Sequence, residues 1–288
     1  MSYIDLQFHS TYSDGSLTPT ELVQFLVKYN VKIAALTDHN TVAGIDEFFS
    51  ACKKFNIKPI TGIEIYARYN SERFNLLFYN FNKDNPDLHY FLRKTQIQRR
   101  RNVVRALKHW QEKGFDINID RILEKYNKYI PINGIIRQIR KNSINEKRIK
   151  EDLKIDNPHE GEIIKYYFKT RRRYYLPETR VDVIRLVKLR KQINGSVILA
   201  HPAKNRVRQR LLDRLLKEKI IDGIEILSPH HSWDIISYYQ HILKKHNVIF
   251  TGGSDFHGYS KHSQIVDCSW KYFKIHSKFL LNIHKIIG

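Results

Sequence analysis

The residues able to do chemistry recur at the ends of short apolar runs. Asp5, Gln7 and His9 come from the first run, Asp38 and His39 follow the second, and Glu64 lies near the end of the third. His201 directly follows the segment VILA, and Asp255 and His257 follow IFTGGS. Imidazole and carboxylate donors without thiolate suit manganese, iron or zinc in an open catalytic site rather than a closed structural zinc site. Taken singly, each of these residues is as readily a strand-end cap or a surface group. Their repetition run after run is what points to a metal cluster.

Such residues converge only if the runs are strands that end on one face, as in a parallel α/β barrel. Runs of β type at 3–9, 31–37, 60–65, 74–81, 196–200, 223–227 and 248–251 alternate with helical segments, which predicts that architecture. Strand alternation sends Asp5, Gln7 and His9 to one face and Ile4, Leu6 and Phe8 to the other. Residues 91–113 break the pattern: this is a polar, Arg-rich helical stretch with Val103, Leu107 and Trp110 at helical spacing, closed by Gly114. Short helices are expected to continue to about residue 175. The reading is one α/β domain, residues 1–90 and 176–288, interrupted by a basic helical insertion, residues 91–175, that covers the substrate site.

The 288 residues carry 50 Lys and Arg against 29 Asp and Glu, a net charge of +21 that favours a polyanionic partner. The insertion alone holds 23 against 10, net +13. A general richness in Ile, Lys, Asn and Tyr accounts for part of that excess. Only Cys52 and Cys268 are present, which excludes a disulfide scaffold or a cysteine zinc cluster and favours a reducing cytoplasm. The start MSYIDLQFHS lacks the layout of a secretory signal, and no run approaches the roughly 18 apolar residues of a membrane span, so a soluble protein with no membrane contact and no obligate protein partner is expected.

The segments DLQFHSTYSDGSLTPTELV, LTDHNTVAG, GIEI, ILAHPAK and GGSDFHG, in that order, resemble the PHP (polymerase and histidinol phosphatase) phosphoesterases. Within that family they are similar to the branch of nucleoside 3',5'-bisphosphate phosphatases and 5'-to-3' exoribonucleases. The resemblance implies a distorted seven-stranded (β/α) barrel with an inserted small helical domain, and up to three divalent metal ions, manganese first with zinc or iron next. It implies one metal on Asp14, His39 and His257. It implies a second on His9, Glu64 and Asp255, where Gln7 replaces a histidine, and a third on Glu64 and His201, where Asn75 replaces another. Where the branch carries an Arg-x-His step, this chain reads Asn133-Gly134-Ile135. Glutamine and asparagine offer a neutral oxygen that binds borderline metals more weakly than imidazole, so occupancy of those two sites is expected to fall.

The chemistry implied is in-line hydrolysis of a phosphate ester in a nucleotide or short RNA, with cations and arginines neutralising charge. Glu64 would bridge metals, and Asp255 or a nearby histidine would manage protons. Asp5 and Asp38 are read as orienting histidine ligands, with a strand-end hydrogen bond as the plain alternative. Arg99, Arg100 and Arg101 are candidate contacts to substrate phosphate, against the plain reading of a solvated helix face. The run Arg171, Arg172, Arg173, Tyr174 and Tyr175 reads as ordinary surface, and His231 in SPHHS is a weak site candidate. Gly252 and Gly253 permit a close backbone approach or a tight turn. The competing expectation is a catalytically weakened relative that binds RNA through the basic insertion, motivated by Gln7, Asn75 and Ile135.

Overall fold

The computed structural model describes residues 3–126, 129–168, 176–244, 246–258 and 274–288. The chain forms β1 (Tyr3–Phe8), α1 (Pro19–Lys28), β2 (Val31–Leu36), α2 (Ile45–Phe55), β3 (Lys58–Tyr69), β4 (Glu72–Tyr79) and the long α3 (Pro86–Glu112). Then come α4 (Ile119–Lys125), α5 (Ile132–Ile139), α6 (Ser143–Leu153), α7 (Glu160–Ile163), β5 (Val181–Asp182), α8 (Val183–Ile193) and β6 (Ser196–Leu199). The remainder is α9 (Gln209–Lys217), β7 (Gly223–Leu227), α10 (Trp233–Leu243), β8 (Ile249–Gly252), β9 (Ile275–His276) and α11 (His284–Ile287). These elements fall into two compact units, Met1–Leu92 with Arg180–Gly288, and Arg93–Thr179. Arg171 to Tyr175 and Cys268 lie outside the described residues.

The first unit holds one nearly closed, barrel-shaped sheet of order β8-β7-β6-β4-β3-β2-β1-β9, with β5 paired to β3. Seven of these strands make the barrel wall, and β5 and β9 are two-residue additions. Closure comes from the chain just beyond β8: the Asp255 N–H donates to the Gln7 carbonyl at 2.9 Å, and the His9 N–H donates to the Phe256 carbonyl at 2.8 Å. Gly253 allows this approach, because a Cβ there would stand 2.4 Å from the Gln7 Cβ.

The sheet is not wholly parallel, since β4 runs antiparallel to both β3 and β6. The reason is local. Only Asn70 and Ser71 separate β3 from β4, with Asn70 at φ 54°, and a parallel crossover needs a dozen residues or more. The hairpin register sets Tyr66 opposite Asn75 and Glu64 opposite Leu77, so Glu64 and Asn75 are diagonal neighbours on one face.

Helices follow their sequence signals. Thr18 caps α1 by accepting from the Glu21 N–H, the Glu21 carboxylate accepts from the Thr18 N–H at 2.7 Å, and Pro19 fills the first helical position. Ile4 and Leu6 enter the large core of the barrel, while Phe8 packs with Phe48 and Phe256 beneath α1 and α2. The second unit is helical and has its own core around the fully buried Trp110, whose ring lies 4.5 Å from that of Tyr167 and 4.7 Å from that of Phe115. Among the described residues no helix is long and apolar enough to cross a membrane.

Candidate metal centre

The loops leaving β1, β2 and β8, the middle of β3 and the loop after β6 bring the sequence-selected residues together. His39 forms an isolated backbone bridge with Glu64, which holds the β2 loop over β3. Two of the residues have left-handed backbones, Asp255 at φ 51° and His201 at φ 25°. Non-glycine residues in such conformations cost on the order of 1–3 kcal/mol, and the strain concentrates at functional sites.

Two groups of ligand-type atoms form, each within 4.8 Å: His9, Asp14, His39 and His257, and His9, Glu64 and Asp255. Asp14 Oδ1 lies 3.7 Å from His9 Nδ1 and 3.5 Å from His257 Nε2, and Asp14 Oδ2 lies 3.6 Å from His39 Nε2. His9 Nε2 lies 3.1 Å from Glu64 Oε2 and 3.2 Å from Asp255 Oδ1, yet neither ring nitrogen of this fully buried imidazole has a hydrogen-bond partner. Two donors on one cation with bonds of about 2.0–2.2 Å stand roughly 3.0–3.5 Å apart. The 3.5–3.7 Å separations around Asp14 are too long for hydrogen bonds and near the span of a shared ion, so the donor set fits a divalent metal. The floor of the site is His9, Glu64 and His201, with side chains at most 1% exposed, and its mouth is Lys204, His257 and His230, at 41, 34 and 30%.

The electrostatics follow from burial set against charge. Burial works against ionisation of Asp14, but His257 and His39 outweigh it and hold the carboxyl far below the usual range. Glu64 is likewise held low against burial, by His39, His201 and His9, and Asp255 by Lys204, His230 and His9. Burial disfavours a charged His9, but Asp255 and Glu64 raise it well above the ordinary value, whereas at His39 burial dominates and the pKa falls to about 4.

Several sequence expectations gain detail. Gln7 and Asn75 present amide nitrogen to the site: Gln7 Nε2 donates to Glu64 Oε2 at 3.3 Å and Asn75 Nδ2 to Glu64 Oε1 at 2.7 Å. Asp5 and Asp38 take serine and backbone donors. Asp38 accepts from the Ser10 N–H and from the hydroxyls of Ser10 and Ser13, and Asp5 accepts from the Ser254 N–H and hydroxyl and the Gln7 N–H. Burial raises Asp5 to about 7. His230, rather than His231, reaches the site, with Nε2 2.7 Å from Asp255 Oδ2. His231 Nδ1 bonds the Ile226 carbonyl, and burial lowers its pKa to about 4.

In the second unit, Arg99 is buried: its Nε donates to the Ile130 carbonyl at 3.1 Å, and Nη1 reaches the Pro177 carbonyl and Glu178. Arg100 and Arg101 are exposed, and Arg100 Nη1 also donates to the Leu123 carbonyl at 3.2 Å. Ile135 is fully buried in the core of that unit. Cys52 is buried, and burial alone pushes its thiol up to about 12, which makes it inert.

Sequence reasoning passed over Lys204, Asn205 and Glu225. Lys204 Nζ donates to Asp255 Oδ2 at 2.5 Å. Glu225 is buried, accepts the His201 N–H at 2.8 Å, and is raised well above its usual range by burial and by Asp255. The available signal was one acidic residue inside the apolar run GIEIL, a position that only a paired or neutral carboxyl tolerates.

The family model for the PHP domain matches residues 5–279. A 5'-3' exoribonuclease from Haemophilus influenzae is 25% identical over 256 residues, which is 88% of this chain and 89% of that protein. A 3',5'-nucleoside bisphosphate phosphatase from Chromobacterium violaceum is 23% identical over 271 residues, 89% of this chain and 88% of that protein. A solved structure from Bifidobacterium adolescentis, a candidate metal-dependent phosphoesterase, has a TM-score of 0.76 at 23% identity, covering 90% of this chain and 89% of that one. At that identity the structural likeness is one of fold.

Proposed function

The chain belongs to the PHP domain family, and from that membership we propose that it is a metal-dependent phosphoesterase that hydrolyses nucleoside 3',5'-bisphosphates or removes nucleotides from the 5' end of short RNA. The observation that carries this reading is the buried His9, Asp14, His39 and His257 set, whose donor atoms face one another at ion-spanning distances. Bound divalent cations, manganese first, would supply charge neutralisation at phosphate and a more acidic attacking water. His9, Asp14, His39, Glu64, Asp255 and His257 would hold them.

The remaining work falls to the chain's own side chains. Lys204, with its ammonium at the mouth of the site, would pair with an entering phosphate oxygen. His230, its ring fixed by the contact of Nε2 with Asp255 Oδ2, would pass a proton to the departing oxygen from its other ring nitrogen, Nδ1. Glu64, held ionised, would keep the cation side anionic. The exposed Arg101, and Arg100 beyond its one bond to the Leu123 carbonyl, remain candidate contacts for RNA phosphate, whereas the buried Arg99 guanidinium is committed within its own unit. The reducing cytoplasm suggested by two cysteines is kept as the setting. The weakened, RNA-binding alternative is not favoured, because the relatives over most of the chain are named as enzymes.

Purified protein supplied with Mn²⁺ should release phosphate from a nucleoside 3',5'-bisphosphate or mononucleotides from 5'-phosphorylated RNA. Turnover no greater than that of a His39→Ala/Asp255→Ala variant overturns the proposal.

A further inference from the structure

The carboxylates of the centre are engaged unequally. An ionised carboxylate offers about four acceptor positions, two on each oxygen. Glu64 Oε1 is filled by two nitrogens, Asn75 Nδ2 at 2.7 Å and His201 Nε2 at 3.1 Å. Asp255 Oδ2 is also filled by two, Lys204 Nζ at 2.5 Å and His230 Nε2 at 2.7 Å. The contacts on the other oxygens are longer: Glu64 Oε2, Asp255 Oδ1 and both oxygens of Asp14 face imidazole nitrogens at 3.1–3.7 Å, with Gln7 Nε2 3.3 Å from Glu64 Oε2 and the Ser13 hydroxyl 3.3 Å from Asp14 Oδ1.

The tautomer of His201 belongs to the same pattern. Asn205 Nδ2 lies 3.1 Å from His201 Nδ1. With that amide donating, Nδ1 is an acceptor and the ring proton sits on Nε2, aimed at Glu64 Oε1. In that arrangement His201 serves Glu64 as an N–H donor. Among the described residues, His201 also enters no group of three ligand-type side chains.

The centre therefore has two sides. On the side of β1, β2 and the chain after β8, acceptors and imidazoles are spaced to share ions. On the side of β4 and the loops after β6 and β7, Asn75, His201, Lys204 and His230 have closed the carboxylates with protein N–H groups. We infer that this centre takes no more than two divalent cations, both on the His9 side, and that Lys204 supplies a fixed positive charge on the other. The inference rests on the metal-centre reading of the same residues. It gives Asn75 a definite role, that of an N–H donor which closes a seat rather than a weak oxygen ligand within it.

The test counts ions and does not depend on turnover. Metal-stripped protein is titrated with Mn²⁺, freed of excess metal by gel filtration and analysed for metal per chain, and the ions are located by anomalous scattering. The expected result is at most two ions per chain and no ion coordinated by His201 Nε2. Asn75→His combined with Lys204→Met removes a donor from each filled oxygen and should raise the count by one. Three ions in the unmodified chain, or an ion on His201 Nε2, overturns the inference, and this measurement needs no variant that folds. An inert protein with two ions sinks only the hydrolase proposal, whereas an active one with three sinks only this inference.

Discussion

Asp38 and Ser10 are joined twice, the Ser10 N–H to Asp38 Oδ1 at 2.8 Å and the Ser10 hydroxyl to Asp38 Oδ2 at 2.6 Å. A third bond, from the Ser13 hydroxyl, ties the same carboxylate to the residue preceding Asp14. Asp38 thus fixes the loop that presents His9 and Asp14 without touching either ligand. Asp38→Ala should take the acceptor from the Ser10 N–H and hydroxyl, leave the Ser13 hydroxyl only its longer contact with Asp14, and loosen that loop. Groups that support ligands in this way are worth about 10–100-fold in metal affinity. Mn²⁺ calorimetry should show a loss in that range; unchanged affinity would show that Asp38 is a strand-end bond only.

Gly253 is where the barrel wall closes against β1. An added methyl would stand 2.4 Å from the Gln7 Cβ and 2.5 Å from the Gln7 backbone nitrogen, and the backbone there cannot yield without breaking the Asp255-to-Gln7 hydrogen bond. Gly253→Ala should cost at least the roughly 1–3 kcal/mol of an overpacked core. It should also weaken Mn²⁺ binding by displacing Asp255. Denaturant unfolding of the metal-free variant separates the two effects, and a stability equal to that of the parent would mean the closure is looser than described.

Much of this centre was legible because barrel topology converts strand ends into one locus. His9, His39, His201, Asp255 and His257 could be placed from position alone. What position did not supply was set by contacts. Asn75, singled out only through the family resemblance, lies in mid-strand because β4 runs antiparallel, a direction dictated by a two-residue connection. Lys204 and His230 reach Asp255 from loops, and no periodicity predicts where a loop side chain ends. Arg99 reads as a phosphate contact beside two other arginines, yet helical geometry buries it against Ile130, Pro177 and Glu178, while Arg100 and Arg101 are exposed. In the same way, Asp5 and Asp38 were recognisable as supports, but only the folded loops show that serines are what they hold.

Ile135 stands where the related branch carries a histidine, and it is fully buried on α5 with Gly134, Ile136 and Ile139. A Cβ at Gly134 would meet the Tyr126 ring at 2.6 Å, so that segment has no room to rotate. Ile135→His would exchange a packed aliphatic side chain for an imidazole in an apolar core, at a cost of at least about 2 kcal/mol. The expected outcome is a less stable helical unit with no gain in phosphatase turnover, measured by denaturant unfolding and kcat/KM. A gain in turnover without loss of stability would show instead that this position lacks only its histidine.

Metal binding should depend steeply on pH, in a direction set by the protons the free site holds. Burial opposes charge on His9 and His257, but Asp255 and Glu64 at His9, and Asp14 at His257, outweigh it, so both stay protonated above the ordinary value of 6.5. His39, depressed to about 4 by burial, is already neutral near pH 7. A cation needs the ring lone pair, so it must displace protons from His9 and His257 but not from His39. Because those two pKa values are raised, protons still compete at and above pH 6.5. Mn²⁺ affinity should therefore climb as pH rises through 6.5 and beyond, by up to about 100-fold per pH unit while two protons are released. Calorimetry in buffers of different ionisation enthalpy counts those protons directly. His257→Asn should reduce the count by one and flatten the slope to about tenfold per unit. Pure Mn²⁺ affinity that is level across this window would mean that His9 and His257 are neutral in the free protein.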